Sequence, residues 1–403
     1  MISVPFPIIT VTGTNGKTSI THFVAEALTR RGARVGVIGT LGAGRFGHLS
    51  NTGYTTPDAP KISVLMQEMI DDQIDYLSME VSSHALVQGR VDTLPIQIAV
   101  FTNLTQDHLD YHKTMEAYGQ AKARLFTWPT LTHAVINLDD PWSMHLLDIL
   151  SPTVTAIGYT LLNKQHARCQ RVFSATDLSL DAAGMSAHIA MTDFLPEAIT
   201  ADPIFFKTDL LGQFNLSNLL AAWGVLTALA IDDTEAALLL SCVKSVSGRL
   251  TRFGGGCQST VFVDYAHTPD ALAKVLGSLR PHCQGELYCV MGCGGDRDAG
   301  KRPLMAAVAE QYADHIILTD DNPRHEDPKQ IMRDILAGFS INTRVIVEHD
   351  RELAIEQALR RAKTDDMILI AGKGHETVQI IGDIPRPFND ADVVRNILAG
   401  NIK

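Results

Sequence analysis

The stretch Ile8-Ile9-Thr10-Val11-Thr12-Gly13-Thr14-Asn15-Gly16-Lys17-Thr18 decides how this chain is read. It begins as a short β-branched run that stops at glycine, the mark of a buried strand. Beyond it, Ile20, Phe23, Val24, Ala27 and Leu28 are spaced like one face of a helix spanning Ser19 to Thr29. Strand, glycine-rich loop and helix in that order supply what a phosphate needs. Glycines let backbone N–H groups turn toward phosphate oxygens, the helix N-terminus adds positive potential, Lys17 supplies a point charge, and the Thr18 hydroxyl can reach Mg²⁺. The reading implies ATP or GTP, with Gly13, Thr14, Asn15, Gly16, Lys17, Thr18 and Ser19 around the phosphates. The usual eight-residue pattern has glycine where this chain has Val11, so the motif is met in shortened form. A plain glycine-rich turn before a helix is the competing reading.

Outward from this loop, Val35 to Ile38, Tyr76 to Met79, Ile98 to Thr102 and Ala134 to Asn137 read as further buried strands, with a helical pattern from Ile62 to Ile70. Alternation of this kind predicts an α/β sheet. From about Leu150 to Phe206 the pattern weakens, and an antiparallel elaboration on the sheet's edge is expected. Helical patterning returns from Asn215 to Leu229 and from Thr234 to Val243 before Ser245-Val246-Ser247-Gly248 breaks it. A domain boundary is expected there, dividing residues 1–245 from 246–403. Beyond it, Val261 to Asp264, Leu287 to Met291, His315 to Thr319, Arg344 to Val347 and Met367 to Ala371 predict a second α/β unit resembling a Rossmann sheet. Gly292-Cys293-Gly294-Gly295 lacks GxGxxG spacing, so NAD is not expected.

A chain of 403 residues exceeds what one hydrophobic core organises, and 45% apolar residues exclude disorder. The 34 Lys plus Arg against 45 Asp plus Glu give a net charge of −11, which points to small-molecule partners rather than nucleic acid or a membrane surface. Six cysteines without a CxxC pair suggest neither a zinc site nor a disulfide framework. With no basic, apolar leader at Met1 and no membrane-length apolar run, a cytoplasmic protein is expected.

A triphosphate needs a cation, and its ligands are sought where strands end. Glu80, in Met79-Glu80-Val81-Ser82-Ser83-His84, ends one strand. His108 follows another in Thr102-Asn103-Leu104-Thr105-Gln106-Asp107-His108. By spacing alone, each is equally a solvated loop residue.

Taken together, Thr12 to Thr18, Glu80 to His84, Asn103 to His112, Gly212-Gln213-Phe214-Asn215, Asp264-Tyr265-Ala266-His267-Thr268-Pro269 and Asp321-Asn322-Pro323-Arg324 resemble the Mur ligase family, in order and spacing, over nearly the whole chain. The resemblance implies an ADP-forming amide ligase of peptidoglycan type, with a P-loop ATPase domain before a Rossmann-like one. In such enzymes ATP phosphorylates a carboxylate and an amine then captures the acyl phosphate. It implies Mg²⁺ near Thr18 and Glu80, a second near Glu80 and His108, and Lys122 as a carbamylated lysine supporting it. On pattern alone Lys122 is a surface helix lysine. Asn215 and Arg249 are implied near adenine and phosphates, and Asp264 at the ribose. Singly, they read as a helix cap, a linker cation and a strand-end turn former.

Asp321-Asn322-Pro323-Arg324 resembles the form in family members that select meso-diaminopimelate over L-lysine. Arg324 would clamp the extra distal carboxylate, which lysine lacks. Arg297 and the block Gly372-Lys373-Gly374-His375-Glu376 match the same amino-acid pocket, where Arg297 would take a carboxylate and Glu376 an ammonium. Thr55, Thr56, Ser82 and Arg90 match positions that contact the carboxylate substrate, and otherwise read as a polar loop and a helix-face arginine. Family members usually carry an N-terminal UDP-binding domain, whereas here the phosphate loop lies within fifteen residues of Met1. A donor smaller than a UDP-muramoyl dipeptide is therefore expected. The alternatives are that dipeptide itself with the UDP domain missing or supplied in trans, a γ-glutamyl ligase like folylpolyglutamate synthase, and a noncatalytic ATP-binding subunit.

Overall fold

The computed structural model describes residues 4–194, 202–246, 250–256, 258–340 and 344–400. It divides into two compact units, one of residues 1–179, 186–209 and 213–244, the other of 180–185, 210–212 and 245–403. Arg249 lies outside the described residues.

In the first unit the strands are β1 (Ile8–Thr12), β2 (Val35–Gly39), β3 (Gly42–Arg45), β4 (His48–Ser50), β5 (Tyr76–Glu80) and β6 (Ile98–Phe101). They continue with β7 (His133–Asn137), β8 (Thr155–Thr160), β9 (Arg171–Asp181), β10 (Gly184–Asp193) and β11 (Ile204–Thr208). Its helices are α1 (Lys17–Arg30), α2 (Ala59–Asp71), α3 (Ser83–Val87), α4 (Leu109–His112), α5 (Met115–Ala123), α6 (Ser143–Ile149), α7 (Gln213–Ala228) and α8 (Asp233–Ser241). One sheet runs in the order β11-β10-β9-β8-β7-β6-β1-β5-β2-β3-β4. β1 sits between β6 and β5, parallel to both and buried along its whole length. That burial on both faces is why Ile8 to Thr12 reads as a continuous run rather than an alternating one. The loop after β1 therefore opens beside the ends of β5 and β6, where an open α/β sheet collects ligands.

The edges differ from expectation. β8 pairs parallel with β7 and β9 parallel with β8, so the stretch after Leu150 first extends the parallel sheet. Only then does the chain turn back through the tight β9–β10 connection. The sequence pattern weakens there because β9 is buried only at its start and then stands half out of the core. At the other edge β3 and β4 form an antiparallel extension of β2. Both are short and rich in Gly and polar residues, and carry no apolar signal.

The second unit contains β12 (Thr251–Gly254), β13 (Thr260–Asp264), β14 (Leu287–Met291), β15 (His315–Leu318), β16 (Val345–Val347) and β17 (Met367–Ala371), ordered β12-β13-β17-β14-β15-β16. All neighbours are parallel except β12, an added strand antiparallel to β13. A separate hairpin joins β18 (Val378–Ile381) and β19 (Ile384–Pro387). Helices α9 (Pro269–Leu279), α10 (Lys301–Tyr312) and α11 (Pro328–Leu336) cover one face, and α12 (Arg351–Arg361) and α13 (Asp390–Leu398) the other. This is a doubly wound α/β layer. Arg351 and Asp390, both fully buried, pair at 2.7 Å, and Arg351 Nη2 also donates to Ala371 O at the end of β17. Among the described residues no helix is long and apolar enough to cross a membrane.

His22 of α1 packs edge-on against Phe46, and burial lowers its pKa from 6.5 to about 4 despite the nearby Glu26. The unfolded chain thus takes up this proton first as pH falls. Its contribution to stability is whole above pH 6.5 and is lost as pH falls through about 4. Replacing His22 with Phe should flatten this part of the acid limb of a Tm-versus-pH curve. A limb unchanged in slope would show that other groups govern it.

Candidate active site

The phosphate loop is built on its neighbours. Asn103, just past β6, accepts the Thr14 N–H on its carbonyl at 2.9 Å and the Asn15 N–H on its Oδ1 at 2.9 Å. Thr14 Oγ1 lies 3.2 Å from the Tyr118 hydroxyl. Gly16 adopts φ 89 to start α1, and a Cβ there would stand 2.6 Å from Asn218 Oδ1. Asn218 in turn donates to Asn215 Oδ1 at 3.5 Å, so Asn218 stands against the loop with Asn215 as its partner. Ser19 follows on the first turn of α1.

Two lysines converge on one carbonyl. Lys17 Nζ donates to Gly13 O and Thr14 O at 2.9 Å each, and Lys122 Nζ donates to Gly13 O at 2.9 Å. Lys122, read as a surface lysine on pattern alone, is buried on α5, with its Nζ 4.2 Å from the centre of the Tyr118 ring. Burial, reinforced by the Lys17 charge, pushes its pKa well below the ordinary lysine value. A neutral amine of this kind is a nucleophile toward CO₂, which an ammonium is not.

Glu80, the last residue of β5, is fully buried. Its Oε2 accepts from Thr18 Oγ1 at 3.0 Å and Thr40 Oγ1 at 3.1 Å, and its Oε1 accepts the Thr40 N–H at 2.8 Å. Gly39 makes room for it, since a Cβ there would lie 2.3 Å from Glu80 Oε1. Burial raises the Glu80 pKa, against the opposing Thr40 amide, the Lys17 charge and the two hydroxyls. Hard oxygens with neutral donors are a donor set that Mg²⁺ takes, and Glu80 and Thr18 fit it. Among the described residues no three His, Cys, Asp or Glu side chains converge as metal ligands. His108 follows β6 and stands at the N-cap of α4. Half-exposed in left-handed backbone at φ 53, it lies 3.4 Å from Asp107, with its ring on His84 and Tyr118.

The four residues expected at the carboxylate substrate do meet. Thr56 Oγ1 donates to Glu80 O and accepts the Ser82 N–H, each at 3.0 Å, while Arg90 Nη1 donates to Thr56 O at 2.6 Å. Gln88 takes the Arg90 Nε at 2.8 Å, and Thr55 Oγ1 reaches Thr40 Oγ1 at 3.0 Å. Ser82 Oγ is the N-cap of α3.

A second cluster belongs to the second unit. Asn322 Oδ1 accepts from Lys373 Nζ at 3.0 Å and from the Ile380 N–H at 2.9 Å, and its Nδ2 donates to Glu376 Oε2 at 2.9 Å. Asn322 is thus a frame for Glu376, with its amide already engaged. Lys373, fully buried, also donates to Glu376 Oε2 at 2.9 Å. Burial works to raise the Glu376 pKa, but Lys373, Asn322 and Arg324 together outweigh it and hold the value below the ordinary one. Arg324 is fixed by donating Nη1 to Gly295 O at 2.8 Å. Asp321 is buried behind Gly372, accepting the Asn322 N–H at 2.7 Å, while Arg297 is exposed and touches only its neighbour's carbonyl, at 3.1 Å, among the described residues. Asp264 accepts the Leu250 and Ala266 N–H groups at 2.8 Å each, the behaviour of a strand-end turn former.

Thr40, Tyr118 and Asn218 were not singled out in the sequence, and Asn103 and Lys373 lay within matched blocks without a role of their own. Only Thr40 and Asn103 carried a signal, their positions just beyond strand ends at the sheet edge where ligands collect.

Comparison with known proteins identifies the family. The Mur ligase middle domain matches residues 11–226, and the Mur ligase, glutamate ligase domain matches residues 248–374. A UDP-N-acetylmuramoyl-L-alanyl-D-glutamate–2,6-diaminopimelate ligase of Coxiella burnetii is 47% identical over 97% of this chain and 78% of its own length. One of the same name from Xanthomonas campestris pv. campestris is 48% identical over 96% of this chain and 76% of its own. A solved structure of a ligase of that name superposes with a TM-score of 0.78 at 37% identity, covering 99% of this chain and 80% of that one. Because the matches run through both units, the chain belongs to the Mur ligase family of ADP-forming acid–amino-acid ligases.

Proposed function

We propose that this ligase joins meso-diaminopimelate to the glutamate carboxylate of a UDP-N-acetylmuramoyl-L-alanyl-D-glutamate donor, at the cost of ATP. The observation that carries the reaction type is the buried Glu80 carboxylate beside the phosphate loop, with the buried Lys122, its pKa pushed well down, on the Gly13 carbonyl. The donor is taken from the relatives of similar sequence. A smaller donor was expected only from the position of the phosphate loop near Met1, and no observation favours it. The Asp321 to Arg324 block speaks against a folylpolyglutamate-type ligase, and the satisfied Glu80 and Lys122 cluster against a noncatalytic subunit.

A carboxylate is a poor electrophile with no good leaving group. Transfer of the ATP γ-phosphoryl group to one of its oxygens forms an acyl phosphate and ADP. The amine nitrogen then attacks the acyl carbon, and the tetrahedral intermediate expels phosphate to leave the amide. Lys17 would exchange its two carbonyl acceptors for phosphate oxygens, with the loop N–H groups alongside. Thr18 and Glu80 would hold one Mg²⁺ and Glu80 and His108 a second, which when bound would neutralise charge on the phosphate oxygens. Lys122, by capturing CO₂ and releasing a proton, becomes a carbamate and so offers an anionic oxygen ligand that an ammonium cannot. Arg90, held by Thr56 and Gln88, is pre-oriented for the donor carboxylate, with Thr55 and Ser82 beside it. Asn215 would serve the adenine end, Arg249 the phosphates, and Asp264 a ribose hydroxyl with its remaining lone pairs. In the second unit, Glu376, held ionised, accepts an ammonium, while Arg324 and Arg297 take the carboxylates of a zwitterion that has two. Such an enzyme works where ATP is made available, in the cytoplasm.

Two measurements test this reading. With a raised Glu80 pKa, the unfolded chain releases that proton first as pH rises. Native stability is therefore greatest below the unfolded value and declines as pH climbs through the folded one. Glu80→Gln should reduce ADP release at least about a hundredfold yet raise Tm at neutral pH, with the gain fading toward about pH 4. Retained turnover, or a pH-independent Tm difference, would contradict the assignment.

In an amine panel with the UDP-linked donor, meso-diaminopimelate should form product with one ADP per amide, and L-lysine should not. Arg324→Ala should raise the diaminopimelate KM about tenfold to a hundredfold, the scale of a lost charged hydrogen bond. Equal use of lysine by the wild type would remove the distal-carboxylate argument.

A further inference from the structure

We infer that Arg302 is a positioning residue for the amine substrate: its buried guanidinium sets the two loops that carry Arg297 and Arg324 in a single register. The inference rests on the reading of that cluster as the amine pocket.

Arg302 is the second residue of α10, yet its side chain is only 1% exposed. Nη1 donates to Glu326 Oε1 at 2.6 Å and to Asp334 Oδ2 at 2.7 Å, and Nη2 donates to Glu326 Oε2 at 2.7 Å and to Gly294 O at 3.4 Å. Glu326 Oε2 also accepts the Asp296 N–H at 3.1 Å. One guanidinium therefore reaches both ends of the Gly294-Gly295-Asp296 turn, directly at Gly294 and through Glu326 at Asp296. Arg297 follows that turn, and Arg324 stands two residues before Glu326.

The two loops touch through backbone. Gly295 N donates to Asn322 O at 2.9 Å, and Arg324 Nη1 returns to Gly295 O at 2.8 Å. A Cβ at Gly295 would lie 1.9 Å from Pro323 O, so the contact leaves no slack. Arg324 itself sits at φ 50, a left-handed conformation that a non-glycine residue keeps only when its surroundings impose it. Its backbone is further pinned by N–H donation to Ile380 O at 3.0 Å.

A planar fork is required for this task. Glu326 takes both arms of the guanidinium side by side, and each arm also serves another segment, an arrangement that a lysine ammonium cannot reproduce. An ion pair that served stability alone would need only the charge.

Arg302→Lys separates these roles. The amine KM should rise about tenfold, one charged hydrogen-bond equivalent, while the KM values of ATP and donor and the turnover at saturating amine stay within about twofold. Hydrogen exchange should accelerate at the Gly295, Asp296 and Arg324 amides, with α12 unchanged. Glu326→Gln should show the same pattern more weakly. An unchanged amine KM, equal rises for all three substrates, or undisturbed exchange in both loops would each overturn the inference. If the wild type takes an amino acid other than diaminopimelate, the proposed substrate fails while Arg302 is judged on the amine actually used. If no amine is turned over, the exchange measurement still decides.

Discussion

Glu80 places an ionisable carboxylate where water does not reach, and the surrounding residues of the first unit are arranged to satisfy it. A buried carboxylate costs several kcal/mol unless hydrogen bonds or a cation compensate it. Here Thr18 comes from the phosphate-loop helix, Thr40 from the end of β2 and Gly39 from the space it leaves. The same carboxylate's backbone carbonyl holds Thr56, and through Thr56 both Ser82 and Arg90. The phosphate loop and the proposed donor contacts therefore share one anchor. Burial that makes the residue a liability for folding is also what strengthens its interaction with a cation.

The second unit solves a different problem, holding fixed charges at the surface end of a sheet. Glu376 and Arg324, two of the groups proposed to meet the amine substrate, each lean on a buried partner. Glu376 leans on Lys373, Arg324 on the Gly295 carbonyl, and the loops themselves on Arg302. Arg351 and Asp390 add a pair beneath the end of β17, just before Gly372 and Lys373. None of these buried partners need touch a substrate for the pocket to depend on it.

Much of this was legible in the sequence because the informative signals were local. Ile8 to Thr18 combined a strand, a turn and a helix within eleven residues, and the strands of both parallel sheets announced themselves as unbroken apolar runs. The edges were illegible for the opposite reason. β3 and β4 expose polar residues and glycine, and β9 leaves the core partway along, so periodicity had nothing to report. Within the site, the family resemblance picked out Lys122, whose burial no local pattern betrays. Thr40 escaped because an isolated threonine becomes meaningful only when the fold brings a distant carboxylate to it. The hydrogen bonds of Asn322 to Lys373, Ile380 and Glu376 were equally illegible, since they depend on residues more than fifty positions away.

The carbonyl of Gly13 receives two lysines, and Asn103 secures the next two residues from the side. A glycine-containing segment tied down at so many points has little conformational freedom left to lose when an anion arrives. Nucleotide recognition at this loop, as proposed, would be a swap of acceptors on a rigid template, so affinity there would follow the chemistry of the incoming oxygens rather than any disorder-to-order transition.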